Sequence, residues 1–182
     1  MVNKESLKNN KILAIDPSLN SSGYCILNND DGSVIRLGRI VPGLKMLGSE
    51  KIGFIYKELR DIIIDEDPAL IVCEDQFVKL NAQTLMKLSH VRGVIMLLSN
   101  IMDIPMVMYS PAEIKKCITG SGKSTKEYVY QILKVEYVND PNTQLWLQSA
   151  SLITQGKEKN DDVSDAIAIA ITHHKTSTGR LV

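Results

Sequence analysis

Three apolar segments of this chain end or begin in carboxylates. Asp16 closes the run Ile12-Leu13-Ala14-Ile15, and Glu74 closes Leu70-Ile71-Val72-Cys73. Asp162 and Asp165 open the apolar stretch that continues through Ile171. A carboxylate at the edge of a core is costly unless something compensates its charge. No basic residue stands beside these acids in sequence, so a partner outside the chain is implied. A divalent metal is the simplest such partner. Metals held in pairs by carboxylates are a recurring device for in-line displacement at phosphorus.

The remainder of the chain limits the fold around these acids. Its 182 residues suit one domain with a real core. Basic and acidic residues balance at 21 each, so overall charge does not reveal a polyanion partner, and any nucleic-acid surface must come from local clustering. Cys25, Cys73 and Cys117 are odd in number, with neither zinc nor CxxC spacing, and read as small residues of a protein in a reducing cytosol. The polar, lysine-rich stretch from Met1 to Lys11 does not read as a signal peptide. The longest apolar stretch, Val94 to Met108, is interrupted by Asn100, Asp103 and Pro105, and is too short to span a membrane.

The pattern predicts strands at Lys11–Ile15, Gly23–Leu27 and Ser33–Val41, with a hairpin turn at Asn29–Gly32. Ser49 is expected to cap a helix that buries Ile52, Ile55, Leu59, Ile62 and Ile63. A fourth strand follows Pro68. Asn81 is expected to cap a long helix with Leu85, Leu88, Val91, Ile95, Leu98 and Met102 inside. A fifth strand ends near Tyr109. A short helix runs from Ser110-Pro111 through Cys117, another from about Thr125 to Val135, and the last from about Asp161 to His174. Residues 1–10 and 176–182 read as tails around one domain at 11–175. A meander followed by helix-linked strands predicts an α/β fold with a mixed five-stranded sheet.

Each acid also has an ordinary explanation. Asp16 can serve an Asx-turn before Pro17, and acids are favoured in a first helical turn. Glu74 is harder to explain, because Glu is depleted in strands. Asp75 should point to the opposite face, so one of the pair joins the site. Asp162 and Asp165 are three apart and share a helix face, at the edge of a buried face centred on Val163, Ala166, Ile167 and Ala170. Asp161 competes for the ligand role, but the spacing to Asp165 favours Asp162.

These residues resemble the RuvC Holliday-junction resolvases. Ile15-Asp16-Pro17 followed by Gly23-Tyr24 looks like that family's first motif. Ile71 through Glu74, then Phe77, Lys79 and Asn81, looks like its second. Leu88 through Arg92-Gly93-Val94 follows its long helix, and Asp162 through His173 is close to its last motif. The similarity runs in order from Lys11 to His173. It implies an RNase H-like fold, with Asp16, Glu74, Asp162 and Asp165 as metal-binding catalytic acids. It places Phe77 against unstacked bases at the crossover, and Lys115 and Lys126 at basic positions near the cleaved strand. Ser18 departs from the glycine usual after Asp-Pro, and the segment from Tyr137 to Asn160 is longer than expected.

Two basic clusters surround these motifs. One is Lys79, Lys87, His90 and Arg92; the other is Lys115, Lys116, Lys123 and Lys126. Charge clusters are usually solvated faces. Beside a carboxylate-metal site, tracking of a phosphate backbone is the better reading. Gly120-Ser121-Gly122-Lys123-Ser124-Thr125 imitates a P-loop, but Cys117 stands where the motif requires glycine. His173 and His174 are adjacent and cannot share a helix face as ligands.

The expectation is a cytoplasmic endonuclease that resolves Holliday junctions by paired symmetric nicks. It would use two Mg²⁺ or Mn²⁺ ions, with Lys126 offsetting charge on the scissile phosphate. A four-way junction is two-fold symmetric, so paired cuts imply a homodimer. A broader fork or flap nuclease and a non-cleaving junction-binding protein are the alternatives. A sugar-kinase-like chain would need a second phosphate-binding half, which is missing here.

Overall fold

Alternation along the central strand sets the layers of the molecule. The computed structural model describes residues 10–75, 82–136 and 161–179. Strands β1 (Lys11–Asp16), β2 (Ser22–Asn28), β3 (Val34–Ile40), β4 (Leu70–Glu74) and β5 (Met106–Tyr109) form one sheet in the order β3-β2-β1-β4-β5. The first three are antiparallel neighbours, and β1, β4 and β5 run parallel. The expected meander-first mixed sheet is present.

Successive side chains of β1 point to opposite faces. Leu13 and Ile15 join Ile26, Ile71 and Cys73 beneath α1 (Gly48–Glu66) and α2 (Ala82–Ile101). Ile12 and Ala14 join Cys25, Leu27 and Val72 beneath a final helix, α5 (Asp161–Ser177), with α3 (Pro111–Thr119) and α4 (Lys126–Glu136) on the same side. The parallel pairing brings the C-terminal ends of β1 and β4 side by side. The antiparallel pairing puts the start of β2 at that same end, with Asp16 opposite Gly23.

Most expected elements appear within a residue or two of their expected bounds, with four corrections. Helix α1 begins at Gly48, so Ser49 lies inside its first turn; the cap position is Leu47, whose N–H donates to Glu50 Oε2 at 2.7 Å. Along α2 full burial begins at Val91, and Leu85 is 44% exposed rather than inside. Helix α5 continues to Ser177 rather than ending near His174, its last turn tied by the Thr176 hydroxyl donating to Thr172 O at 2.7 Å. Ala166 through Ile171 are all buried, so α5 has no solvent face there: the sheet lies beneath it, and α3 and α4, on the same side of the sheet, pack against it. A helix apolar all round is a helix covered all round. Asn81, Trp146 and residues 137–160 lie outside the described residues.

The local signals for α3 act as expected. Pro111 occupies the first turn, where its missing N–H costs nothing. The Ser110 hydroxyl accepts from Glu113 N at 3.3 Å, and Ser110 N donates back to Glu113 Oε2 at 2.7 Å. Gly120 then ends the helix at φ 77°.

Candidate active site

Strand parity decides where the acids point. Asp16 follows Ile12 and Ala14 and therefore faces α5. Glu74 follows Val72 onto the same face. Asp75 turns to the other side, where Arg92 of α2 donates to its Oδ1 at 2.6 Å. One acid of the pair thus joins the site, as the alternation predicts.

Asp16 lies at the centre of the site. The residue is 8% exposed, and no hydrogen bond reaches its carboxyl from the described residues. Burial pushes its pKa well above the ordinary carboxylate value, and the negative charges of Asp165, Glu74 and Asp162 push it in the same direction. Lys126 acts against them. Asp16 therefore feels the charge of each of the other three expected acids.

The two acids of α5 are each held by a neighbour. Lys126, the first residue of α4, donates from Nζ to Asp165 Oδ2 at 2.6 Å. Burial alone would lower the Lys126 pKa. The hydrogen bond to Asp165 and the charges of Asp165, Asp16 and Glu74 outweigh that and raise it. The absence of a neighbouring base, read from the sequence, is thus corrected: the fold supplies a lysine 39 residues from Asp165. Asp162 Oδ2 accepts a hydrogen bond of 2.5 Å from the Ser21 hydroxyl.

Gly23 brings these parts together. A Cβ built there would lie 1.9 Å from the Asp162 carbonyl oxygen and 2.4 Å from its carbonyl carbon. Only a residue without a side chain lets the start of α5 lie directly on β2. The sequence marked Gly23 as part of a motif without its reason, and it missed Ser21, which lies unmarked between Pro17 and Gly23. A strand residue that must be glycine is a sign of close backbone approach, and that signal was available.

The expected DNA-contacting residues divide. Lys126 lies among the acids. Lys115 is half-buried on α3, and Lys116 and Lys123 are exposed on α3 and the loop after it, on the acid-bearing side of the sheet. Arg92 lies on the far side, bound to Asp75. Phe77 and Lys79 fall outside the described residues. The two histidines point apart: His173 Nδ1 is 3.0 Å from the Tyr109 hydroxyl, and His174 Nδ1 is 3.1 Å from Asn29 O.

The donor set suits a hard divalent cation. It is all carboxylate oxygen, three of the four acids act on the one Lys126 ammonium, and the Asp16 carboxyl is buried without a hydrogen-bond donor among the described residues. As they are placed, no three acid, histidine or cysteine side chains among the described residues converge closely enough to hold a metal ion. The cluster is open, with one member drawn to Lys126 and another to Ser21.

Residues 12–173 match the family described as Crossover junction endodeoxyribonuclease RuvC. The crossover junction endodeoxyribonuclease RuvC of Alkaliphilus metalliredigens is 32% identical over 164 residues, covering 89% of this chain and 91% of that one. The fold resembles Thermus thermophilus RuvC, solved in complex with a Holliday junction substrate, with a TM-score of 0.70 at 17% identity, covering 94% and 97% of the two chains. It also resembles the yeast mitochondrial Holliday junction resolvase, with a TM-score of 0.64 at 14% identity, covering 93% and 81%. These likenesses place the sheet and its helices in the RNase H-like resolvase fold. No helix among the described residues is long and apolar enough to cross a membrane.

Proposed function

The chain belongs to the RuvC family of crossover junction endodeoxyribonucleases, and from that premise we propose that Asp16, Glu74, Asp162 and Asp165 are the acids with which it hydrolyses DNA strands at four-way junctions. The observation that carries the assignment is the buried Asp16 carboxyl, raised in pKa by its own burial and by the three other acids around it.

The family is divalent-metal dependent, and the proposed complement here is two Mg²⁺ or Mn²⁺ ions per site, held by the four acids. When bound, the ions supply the positive charge that activates water and stabilises the leaving 3′ oxygen. The chain's own residues do the rest. Countercharge bound beside the acids would lower the raised Asp16 pKa and favour its carboxylate form, because the rise comes from burial and like-charge repulsion. Lys126 holds Asp165 in place. Its side chain is 63% exposed, so the same ammonium can meet a phosphate oxygen set over the acids and offset charge that builds there. Lys115, Lys116 and Lys123 extend a positive surface for the strand backbone on that side. Phe77 and Lys79 belong to the proposed DNA contacts through the family likeness. Arg92 is assigned to hold Asp75.

The substrate is a branched duplex, and its two-fold symmetry calls for a homodimer that makes paired nicks. The cytoplasm is the proposed location. The test is cleavage of labelled four-way junction, fork and linear duplex DNA with Mg²⁺, Mn²⁺ or EDTA. Metal-dependent symmetric nicks in the junction alone support the proposal. Equal cutting of forks would make the chain a general debranching nuclease. Binding without cutting in either metal would overturn the catalytic assignment.

A further inference from the structure

We propose that Ser21 is a positioning residue that fixes the Asp162 carboxylate in the metal-binding set, a role that rests on the four-acid reading above. The Ser21 hydroxyl donates to Asp162 Oδ2 at 2.5 Å across 141 residues of sequence. A hydroxyl donating to a carboxylate makes one of the stronger hydrogen bonds available to a protein. A serine has one such proton, so Oδ2 is held while Oδ1 keeps its lone pairs for another partner.

The turn that carries Ser21 is built to aim it. The Ser22 hydroxyl is buried, donates to Ser18 O at 2.6 Å and accepts from Ser18 N at 2.9 Å, closing the loop between β1 and β2. Inside that loop the Ser18 hydroxyl accepts from Asn20 N and Ser21 N, each at 3.4 Å. Outside it, Lys51 of α1 donates to Asn20 Oδ1 at 2.7 Å. Each residue from Ser18 to Ser22 except Leu19, a partly buried apolar residue, is thus fixed by a hydrogen bond.

Asp162 is gripped twice by the same stretch of chain. Its backbone rests on Gly23, and its carboxylate is held by Ser21 two residues earlier. Gly23 and Cys25 alternate onto the α5 face of the sheet, and Ser21 lies just before β2. An Asp near a helix start otherwise tends to turn back and bond its own backbone. The Ser21 hydroxyl draws that carboxylate toward β2 and its neighbour Asp16.

Calorimetric titration of the full chain with Mn²⁺, for wild type, S21A, S21T and D162N, tests this. S21A should bind Mn²⁺ about 10-fold more weakly, and S21T should recover most of that loss because it keeps the hydroxyl. S21A should need correspondingly more Mn²⁺ for half-maximal junction cleavage and regain wild-type rate at saturation. Unchanged Mn²⁺ affinity in S21A, with affinity lost in D162N, would overturn the role of Ser21 and leave the four acids standing. Equal losses in S21A and S21T would also overturn it, because the hydroxyl would then not be the active group. Unchanged affinity in D162N would remove the four-acid reading and this inference together.

Discussion

Gly23 and Asp162 lie backbone against backbone: a side chain at position 23 would start 1.9 Å from the Asp162 carbonyl oxygen. The contact joins the second strand to the helix that carries two of the four acids. It also sets their height above Asp16, which pairs with Gly23 in the sheet.

Gly23→Ala should therefore shift the start of α5 away from the sheet. Displacement of about 1 Å in a catalytic group can cost about 100-fold in rate, and overpacking of this kind costs about 1–3 kcal/mol in stability. Junction cleavage and thermal unfolding of the same variant check both. A variant with wild-type rate would show that the start of α5 does not need its seat on Gly23.

Asp16→Asn should abolish metal-dependent cleavage, a loss on the order of 10³-fold or more, while junction binding persists. It should also alter the pH dependence of stability. The folded-state pKa of Asp16 is raised above its ordinary value of 3.8, so the folded state binds more protons than the unfolded state between the two values. Stability of the metal-free chain should fall as pH rises through that window. Added Mg²⁺ should restore it at neutral pH. The Asn variant should lack that component of the decline and be more stable than wild type in EDTA at pH 7. Thermal melts across pH, with and without metal, measure each part.

Lys126→Met should lower cleavage about 100-fold, in the range for loss of one charge-stabilising donor. Lys126→Arg should keep part of the activity, because the charge remains. The Lys126 pKa is raised above 10.5, so its contribution is present throughout neutral pH and fades only above the ordinary lysine range. A pH–rate profile of wild type that loses activity below that range through a group absent from the Met variant would contradict this.

Arg92→Ala should destabilise the fold by about 1.5–3 kcal/mol, because it leaves the half-buried Asp75 carboxylate without its charged donor. The double variant Asp75→Ala/Arg92→Ala should recover part of the loss. Mn²⁺ affinity should stay at the wild-type value in both, since the pair lies across the sheet from the acids. Denaturant titration of the three variants gives the coupling energy.

Much of this protein could be read from its residues in order. Strand ends that finish in Asp16 and Glu74, the three-residue spacing of Asp162 and Asp165, and the opposite facing of Asp75 all follow from the period of a strand or a helix. So do the meander and the Ser110-Pro111 helix start, where the signal lies within a few residues. Leu85 was misplaced because its apolar spacing marks a helix face without showing how far a neighbour extends to cover it. The full burial of Ala166 through Ile171 escaped for a related reason: an amphipathic reading assumes one partner, and this helix has the sheet together with α3 and α4.

The chain order alone determined which residue types could hold a metal and which face of each element they would occupy. Tertiary structure decided which distant groups complete the site. Lys126 meets Asp165 and Ser21 meets Asp162 because α4 and the β1–β2 turn converge on the start of α5. Gly23 permits that approach. Such contacts join residues far apart in the chain, where local periodicity carries no information. They exist only because burial of the apolar faces forces these elements together.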